Sequence, residues 1–291
     1  MTGTLYQSGR KDSFYATPPV SFEEIRGWIK DGGGEDGIGL GAVVEVDEND
    51  NVKRIAGELI MPGGKEAYRM GKDGVPHLIT PEDEKKYKVT FAQVGHMAPE
   101  QTITLDVDSP ADLKDKLQQK INEQFPEGKR DAYMIRVQGT FTDMDLRGVD
   151  TEDRDVAGLK EISDLINPPN AKQNHYQGEA RDYRLVGVFS KQGAVENGVT
   201  FDDALHLHGI DDAKVPNAHQ HGGHVTGFGP AQGVKVEIMP IGSWLLATRE
   251  KAQAGQEKPP IKWVDKIRAS GVANPMDILT PAQMPAAASS R

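Results

Sequence analysis

The sequence contains no cysteine among its 291 residues. Disulfide bonds, thiolate metal ligands and cysteine nucleophiles are therefore excluded, and any metal chemistry must use histidine and carboxylate side chains. The sequence also lacks an apolar run approaching the roughly 18 residues of a membrane-spanning helix. Residues 1–10 lack the apolar core of a signal peptide. We therefore expect a chain that folds in water, away from membranes, in the cytoplasm.

Basic residues are in the minority. The chain has 34 Lys and Arg against 44 Asp and Glu, which gives a net charge of −10. This charge opposes binding to a phosphate backbone, and the basic residues do not cluster, so we expect no nucleic-acid partner. Hydrophobic residues make up 37% of the chain. Its length suffices for one large domain, or two smaller ones, with a sizeable core.

The first half of the sequence combines helices with strands. A Ser-x-x-Glu capping box predicts a helix over residues 21–30. Two apolar stretches around an Asp- and Asn-rich turn predict a β-hairpin over residues 42–61. Leucine and isoleucine residues spaced four apart predict a second helix over residues 109–125, covering a sheet. The charged stretch 82–86 is expected to be a solvated loop.

Short strands dominate the second half. A short amphipathic helix is expected over residues 156–166, and a loosely packed tail over residues 251–291, with one turn of helix at 263–267. Alternating or short apolar runs bounded by turn residues predict strands over residues 133–142, 183–190, 204–210, 224–228 and 234–239.

Five of the eight histidines lie within 19 residues, at His206, His208, His219, His221 and His224. Residues two apart in a strand point to the same face, so His206 and His208 can bind one ion. If the next strand pairs antiparallel, His224 joins them, and three imidazoles with an open position are typical of catalytic zinc. The alternative is a His-x-His pair that faces solvent. His219 and His221 are expected in the connecting loop, near the mouth of the site.

Several short motifs follow one another along the chain. They are Leu5-Tyr6-Gln7-Ser8, Gly39-Leu40-Gly41, Gly57-Glu58-Leu59, the segment 135–149, His206-Leu207-His208 and Gly222-Gly223-His224-Val225. Their composition and order resemble the α-acetolactate decarboxylase family over about residues 5–241. The histidine motif is the most specific part of this resemblance, and the C-terminal tail lies outside it.

The resemblance implies a zinc-dependent enzyme in which His206, His208 and His224 bind Zn²⁺. The implied reaction is loss of CO₂ from a 2-hydroxy-3-oxo acid through a metal-stabilised enediolate, which gives a hydroxyketone such as acetoin. Arg147 and Glu58 match an arginine and a glutamate of the family's site. Arg147 would orient the departing carboxylate, and Glu58 would transfer the proton.

The resemblance also implies an α+β fold with a few covering helices. It places the metal site between two sheet-containing halves, a mixed sheet in about residues 1–130 and a mostly antiparallel sheet in about residues 131–250. These halves together form a unit of residues 1–250. Members of the family commonly pair, so we expect a homodimer that binds a small keto acid.

The residues by themselves leave other interpretations open. Arg147 could form a surface ion pair with one of the acidic residues near it in sequence, and Glu58 could point outward from its strand. Those acidic neighbours of Arg147 are Asp143, Asp145 and Asp150.

Some positions depart from the family's pattern. Ala42 stands where the family usually has Thr, and residues 45–54 extend the hairpin. The family's second glutamate, from its C-terminal tail, has no clear counterpart, with Glu250 and Glu257 the nearest candidates. One alternative function is therefore a metal-dependent lyase, isomerase or hydrolase acting on a related, bulkier keto acid. Another is a non-catalytic binding module, because a small plant and prokaryotic module has a similar Gly-Gly-His segment.

Overall fold

The computed structural model describes residues 2–8, 19–124, 132–151, 159, 162–178, 180–190, 204–212, 220–248, 260–265 and 278–279. The α-helices of this part of the chain are α1 (Phe22–Asp31), α2 (Pro110–Gln124) and α3 (Ile162–Ile166). The strands are β1 (Gly3–Ser8), β2 (Gly37–Val46), β3 (Val52–Pro62), β4 (Tyr68–Met70), β5 (Pro76–Leu78), β6 (Tyr87–His96), β7 (Gln101–Val107), β8 (Ala132–Phe141), β9 (Met144–Val149), β10 (Ala171–Tyr176), β11 (Arg181–Ser190), β12 (Leu205–Asp211), β13 (Gly222–Gly227), β14 (Ala231–Thr248), β15 (Lys262–Asp265) and β16 (Ile278–Leu279).

The two longer helices begin where the sequence predicts. The Ser21 hydroxyl accepts a hydrogen bond from the Glu24 backbone N–H at 3.1 Å, and the Glu24 carboxylate accepts one from the Ser21 backbone N–H at 2.8 Å. This reciprocal pair is a capping box. The Ser109 hydroxyl caps α2 by accepting from the Asp112 backbone N–H at 3.2 Å. The inner face of α2 buries Leu113, Leu117 and Ile121.

The strands form one hydrogen-bonded sheet. Its main path runs β10-β9-β13-β12-β11-β8-β14-β1-β6-β2-β3-β4-β5, with β7 and β15 attached to β14 and β16 attached to β15. β1 and β14 run parallel. The other described strand pairs run antiparallel, so the sheet is mixed overall and antiparallel throughout β7–β13.

The long strand β14 joins two layers, which we call layer A (β1–β6) and layer B (β7–β13). Up to Pro240, β14 pairs with β7 and β8, and after Pro240 it pairs with β1 and β15. The two layers face each other, because one buried cluster contains Leu5 and Ile60 from layer A together with Val186 and Ile210 from layer B. The helix α1 covers the outer face of layer A, and α2 covers the outer face of layer B.

The helical turn predicted at residues 263–267 is wrong. Residues Lys262–Asp265 form β15, which pairs antiparallel with the end of β14. Burial alternates there, since Ile261 and Trp263 are buried and Lys262 is exposed. The Trp263 ring lies 5.3 Å from the Tyr6 ring and 5.0 Å from the Trp28 ring, measured between centroids. A strand brings this aromatic side chain onto layer A.

Two other local predictions need adjustment. The stretch predicted as a solvated loop contains a 3₁₀ turn at Asp83–Lys85. This turn is stabilised because the Thr80 hydroxyl donates to the Asp83 carboxylate at 2.7 Å, and because Glu84 pairs with Arg26 of α1. The helix predicted over residues 156–166 is confirmed only at Ile162–Ile166, because Leu159 is not helical. Residues 152–158 and 160–161 lie outside the described part of the chain.

No helix within the described residues is long and apolar enough to cross a membrane.

Candidate metal centre

Three histidines converge on the face of layer B that looks toward layer A. His208 on β12 lies directly opposite His224 on β13, and His206 lies two residues earlier on the same face of β12. The ring centroids are 5.0–5.3 Å apart. One ligand nitrogen from each ring lies within 4.8 Å of the others. Strand alternation and antiparallel pairing thus assemble a group that can hold one metal ion.

The Gly-Gly-His segment requires glycines because the neighbouring chain segments lie too close for a side chain. Gly223 has φ of 151°, and a Cβ there would lie 2.6 Å from the Arg147 carbonyl oxygen on β9. A Cβ at Gly222 would lie 2.8 Å from the Met70 side chain. Non-glycine residues at these positions would displace β13, which carries His224.

A backbone carbonyl orients one of the three imidazoles. His208 Nδ1 lies 2.8 Å from the Leu59 carbonyl oxygen, and this acceptor requires the proton on Nδ1. His208 Nε2 is thereby left with its lone pair, 3.7 Å from Glu58 Oε2. Such a hydrogen bond to the distal nitrogen is what metal-ligating histidines normally have. The sequence analysis did not predict this role of the Leu59 carbonyl group. The signal that could have indicated it is the position of Leu59 next to Glu58 in the Gly-Glu-Leu motif.

Burial keeps the three imidazoles neutral. Burial lowers the pKa of His208 to about 3, with a further contribution from the positive charge of Arg147. Burial also lowers the pKa of His206 and of His224 well below the usual value. His224 Nδ1 is buried and has no hydrogen-bond partner within the described residues. Neutral nitrogens that converge in a buried space are a suitable donor set for a divalent cation.

Glu58 and Arg147 lie at the same place. On β3, Glu58 is only 6% exposed and lies opposite Ala42 on β2 and Met70 on β4, so its side chain faces layer B. Arg147 on β9 lies opposite His224. Its Nη2 is 3.9 Å from Glu58 Oε1. The two layers thus contribute a carboxylate and a guanidinium beside the three imidazoles.

Two opposing effects act on the pKa of Glu58. Burial raises the pKa of Glu58 to about 7, although the positive charge of Arg147 acts in the opposite direction. Arg147 Nε is buried and has no hydrogen-bond partner within the described residues. A partly buried guanidinium whose Nε–H has no partner among the described residues is suited to bind an anion such as a carboxylate.

Arg147 and Glu58 are arranged differently from the alternatives that the sequence leaves open, a surface ion pair and an outward side chain. Asp145 pairs with His175 at 2.7 Å, and Asp150 pairs with Lys72 at 3.3 Å. The guanidinium of Arg147 is directed instead toward Glu58. Both side chains therefore face the space between the layers.

Among the remaining sequence candidates, His221 is described by the structure and does not join the group. His221 is buried and its ring stacks on Tyr176, with centroids 3.5 Å apart and planes at 17°. It is therefore held at the edge of layer B and is not among the three converging histidines. His219, Glu250 and Glu257 lie outside the described residues.

Known proteins share the sequence profile and the fold of this chain. The sequence profile described as Alpha-acetolactate decarboxylase matches residues 50–257. The fold is similar to α-acetolactate decarboxylase from Bacillus subtilis strain 168, with a TM-score of 0.60 at 20% identity over 86% of this chain and 90% of that one. The enzyme from Bacillus subtilis subspecies spizizenii gives a TM-score of 0.60 at 21% identity over 86% and 91%.

A third solved structure is a Staphylococcus aureus protein of unknown function similar to α-acetolactate decarboxylase. Its TM-score is 0.57 at 18% identity, over 84% of this chain and 88% of that one. Among curated protein sequences there is no significant match. At these identities the solved structures support the fold, whereas the profile match covers more than half of the chain and includes all three histidines, Glu58 and Arg147. The chain therefore belongs to the α-acetolactate decarboxylase family and is an enzyme of the carboxy-lyase class.

Proposed function

We propose that this enzyme decarboxylates a 2-hydroxy-3-oxo acid of the acetolactate type, releasing CO₂ and forming a hydroxyketone such as acetoin. The proposal is carried by one observation. Three neutral imidazoles, of which His206 and His208 are buried and His224 is partly buried, lie beside a buried carboxylate and a guanidinium, between two sheet layers. The family match supports the same class of reaction.

His206, His208 and His224 would hold the metal, which we propose to be Zn²⁺. The fit rests on the donor set, because three neutral nitrogens converge and the distal nitrogen of His208 is fixed by the Leu59 carbonyl. When bound, Zn²⁺ would supply Lewis-acid stabilisation of negative charge on substrate oxygens. A His₃ donor set leaves a coordination position for that purpose.

Arg147 binds and orients the substrate carboxylate in this proposal. Its Nε and Nη groups form a planar fork that matches a carboxylate, and Nε is buried and available. Binding at β9 holds the carboxylate at one side of the histidine cluster. The bond between C1 and C2 can then break with CO₂ leaving toward Arg147.

Glu58 handles the proton. Its carboxyl group lies 3.7 Å from His208 Nε2 and 3.9 Å from Arg147 Nη2. In this proposal the substrate's C2 lies beside that carboxyl group, between the layers. As CO₂ leaves, the electron pair of the C1–C2 bond passes to C2 and the C3 oxygen. A proton from the Glu58 carboxyl group then ends on C2, and solvent returns a proton to Glu58.

The test is a decarboxylation assay on racemic acetolactate, with release of CO₂ and acetoin measured together. We expect the metal-loaded protein to hold about one equivalent of zinc and to form both products, and His206→Ala to lose both metal and activity. Zinc-loaded protein that evolves no CO₂ would instead favour metal-dependent chemistry on another keto acid. Equal metal content in both proteins would refute the ligand assignment.

Two further properties stay predictions, a homodimer implied by the family and a cytoplasmic location expected from the sequence. We propose a homodimer, which light scattering of the eluted protein would test. We also propose a cytoplasmic location, which cell fractionation would test.

A further inference from the structure

The two residues that follow β9 join layer B to layer A. Thr151 is buried, and its hydroxyl accepts a hydrogen bond from the Ile55 backbone N–H of β3 at 3.0 Å. The Thr151 backbone N–H in turn donates to the Ile55 carbonyl oxygen at 3.1 Å. Asp150 adds a second link, because its carboxylate accepts from the backbone N–H of Lys72, between β4 and β5, at 3.1 Å. We call Asp150 and Thr151 the clamp, because they hold the end of β9 against layer A.

A β-bulge places the clamped residue and Glu58 on the same face of β3. The register of β3 against β2 shifts by one residue at Ala56, which is therefore the extra residue of the bulge. Residues three apart in an unbroken strand point to opposite faces. With the bulge, both Ile55 and Glu58 face layer B, where Ile55 shares a buried cluster with Val149 of β9. The clamp thus grips the part of β3 that carries the Glu58 carboxyl group.

Arg147 lies where β9 passes from one set of neighbours to another. In the described part of the chain it is the last residue of β9 that pairs with β13. The next residue lies against layer A, since a Cβ at Gly148 would be 2.3 Å from the Gly71 carbonyl oxygen. Arg147 Nη2 and Glu58 Oε1 are 3.9 Å apart, which is longer than a hydrogen bond. This pair therefore does not fix its own geometry, whereas the hydrogen bonds of the clamp connect the strands that carry its two members.

We propose that Asp150 and Thr151 are positioning residues, which hold Glu58 at the separation from Arg147 at which it can protonate the substrate's C2. The inference rests on the proposed function. The three histidines and Arg147 all lie on layer B, so the metal and the substrate carboxylate stay in place when the clamp is loosened. Glu58 lies on layer A, so its position relative to the substrate changes. Proton transfer requires a donor within hydrogen-bond reach, and this displacement therefore slows the chemical step more than it weakens substrate binding.

The experiment measures kcat and KM on acetolactate, metal content and melting temperature in the full-length, metal-loaded enzyme. Thr151→Val keeps the shape of the side chain but removes the hydroxyl, so the buried Ile55 N–H loses its acceptor. We expect kcat to fall about 10-fold, KM to change by less than about threefold, and the metal content to match that of the wild type. Thr151→Ser keeps the hydroxyl and should keep kcat within about twofold of the wild type.

Leu117→Ala is the matched control for a loss of stability. Leu117 is buried under α2, on the outer face of layer B, which looks away from the metal centre. This variant should melt at or below the temperature of Thr151→Val and should keep the wild-type kcat. It therefore separates a positioning effect from a general loosening of the fold.

A second pair of variants tests the other half of the clamp and carries the test alone if Thr151→Val does not fold. Asp150→Ala should lower kcat about 10-fold, and Asp150→Asn, which keeps an acceptor oxygen for the Lys72 N–H, should restore most of it. The proposal is overturned if a folded Thr151→Val or Asp150→Ala keeps kcat within about twofold or loses its metal. It is also overturned if Thr151→Ser or Leu117→Ala loses as much kcat as Thr151→Val. Wild-type enzyme that does not decarboxylate acetolactate overturns the proposed function itself, and this inference with it.

Discussion

Replacing Gly223 by Ala tests whether the Gly-Gly-His segment positions His224. The φ angle of 151° at Gly223 is nearly exclusive to glycine and costs another residue about 1–3 kcal/mol. The new Cβ would also lie 2.6 Å from the Arg147 carbonyl oxygen and 3.2 Å from its carbon, both backbone atoms that move only if β9 and β13 separate. We expect a total loss of about 3 kcal/mol, a fall in melting temperature of about 6–12 °C, and metal content well below one equivalent.

Gly233→Ala is the matched control for this substitution. Gly233 has φ of 63°, but no atom lies within 4 Å of its built Cβ. This variant therefore bears only the conformational cost of about 1 kcal/mol, or about 2–4 °C, and should keep its metal. Melting curves and metal analysis of both variants decide the matter. The prediction is wrong if Gly223→Ala has the same melting temperature as Gly233→Ala and binds a full equivalent of metal.

Three other predictions concern separate parts of the molecule. Trp263→Ala should lower the unfolding free energy by about 3–5 kcal/mol in urea titrations, because Trp263 is 3% exposed. The control Lys262→Ala removes an exposed side chain and should lower it by about 0.5 kcal/mol. Equal effects of the two substitutions would contradict the packing of β15. Glu58→Gln should lower kcat at least about 100-fold with metal retained, and a variant with half the wild-type kcat would exclude the proton-transfer role. Burial raises the pKa of Glu237, but hydrogen bonds from Lys235 and Arg136 outweigh it and the net pKa is lowered. The stability from this group is present above the unfolded pKa of about 4.3 and is lost as pH falls through the lower folded value. The melting advantage of wild type over Glu237→Gln near neutral pH should therefore shrink in acid, and a constant difference would refute the linkage.

The histidine cluster could be predicted from the sequence because it depends on strand alternation and on one pairing of neighbouring strands. His206 and His208 share a face by strand alternation, and a single antiparallel pairing adds His224. Glu58 and Arg147 were not accessible in this way. Both residues lie on strands whose inward face is set by packing between the layers, and the resemblance to a known family supplied them.

Long-range pairing explains the parts of the fold that sequence patterns missed. The strand predicted at residues 234–239 ends before Pro240, since proline lacks the N–H that a ladder requires. In the structure β14 continues to Thr248, because Pro240 lies where the strand changes partners from β8 to β1. The parallel pairing of β1 with β14 joins segments more than 200 residues apart. No local pattern encodes such a contact.

The arrangement of the tail shows the same limit. Residues 263–267 present too few positions to separate a helical period from alternation. The strand β15 forms there because β14 offers a free edge and because Tyr6 and Trp28 surround Trp263. Both partners come from the opposite end of the chain.

X-ray absorption spectroscopy of the zinc-loaded protein addresses the metal centre most directly. We expect three imidazole nitrogens at about 2.0–2.1 Å from the metal, with the rest of the coordination shell made of oxygen donors. His224→Ala should lose most of its metal, and the zinc that it retains should show at most two imidazoles. A shell with fewer than three imidazoles in the wild-type protein, or one unchanged by His224→Ala, would contradict the assignment of His206, His208 and His224 as the ligands.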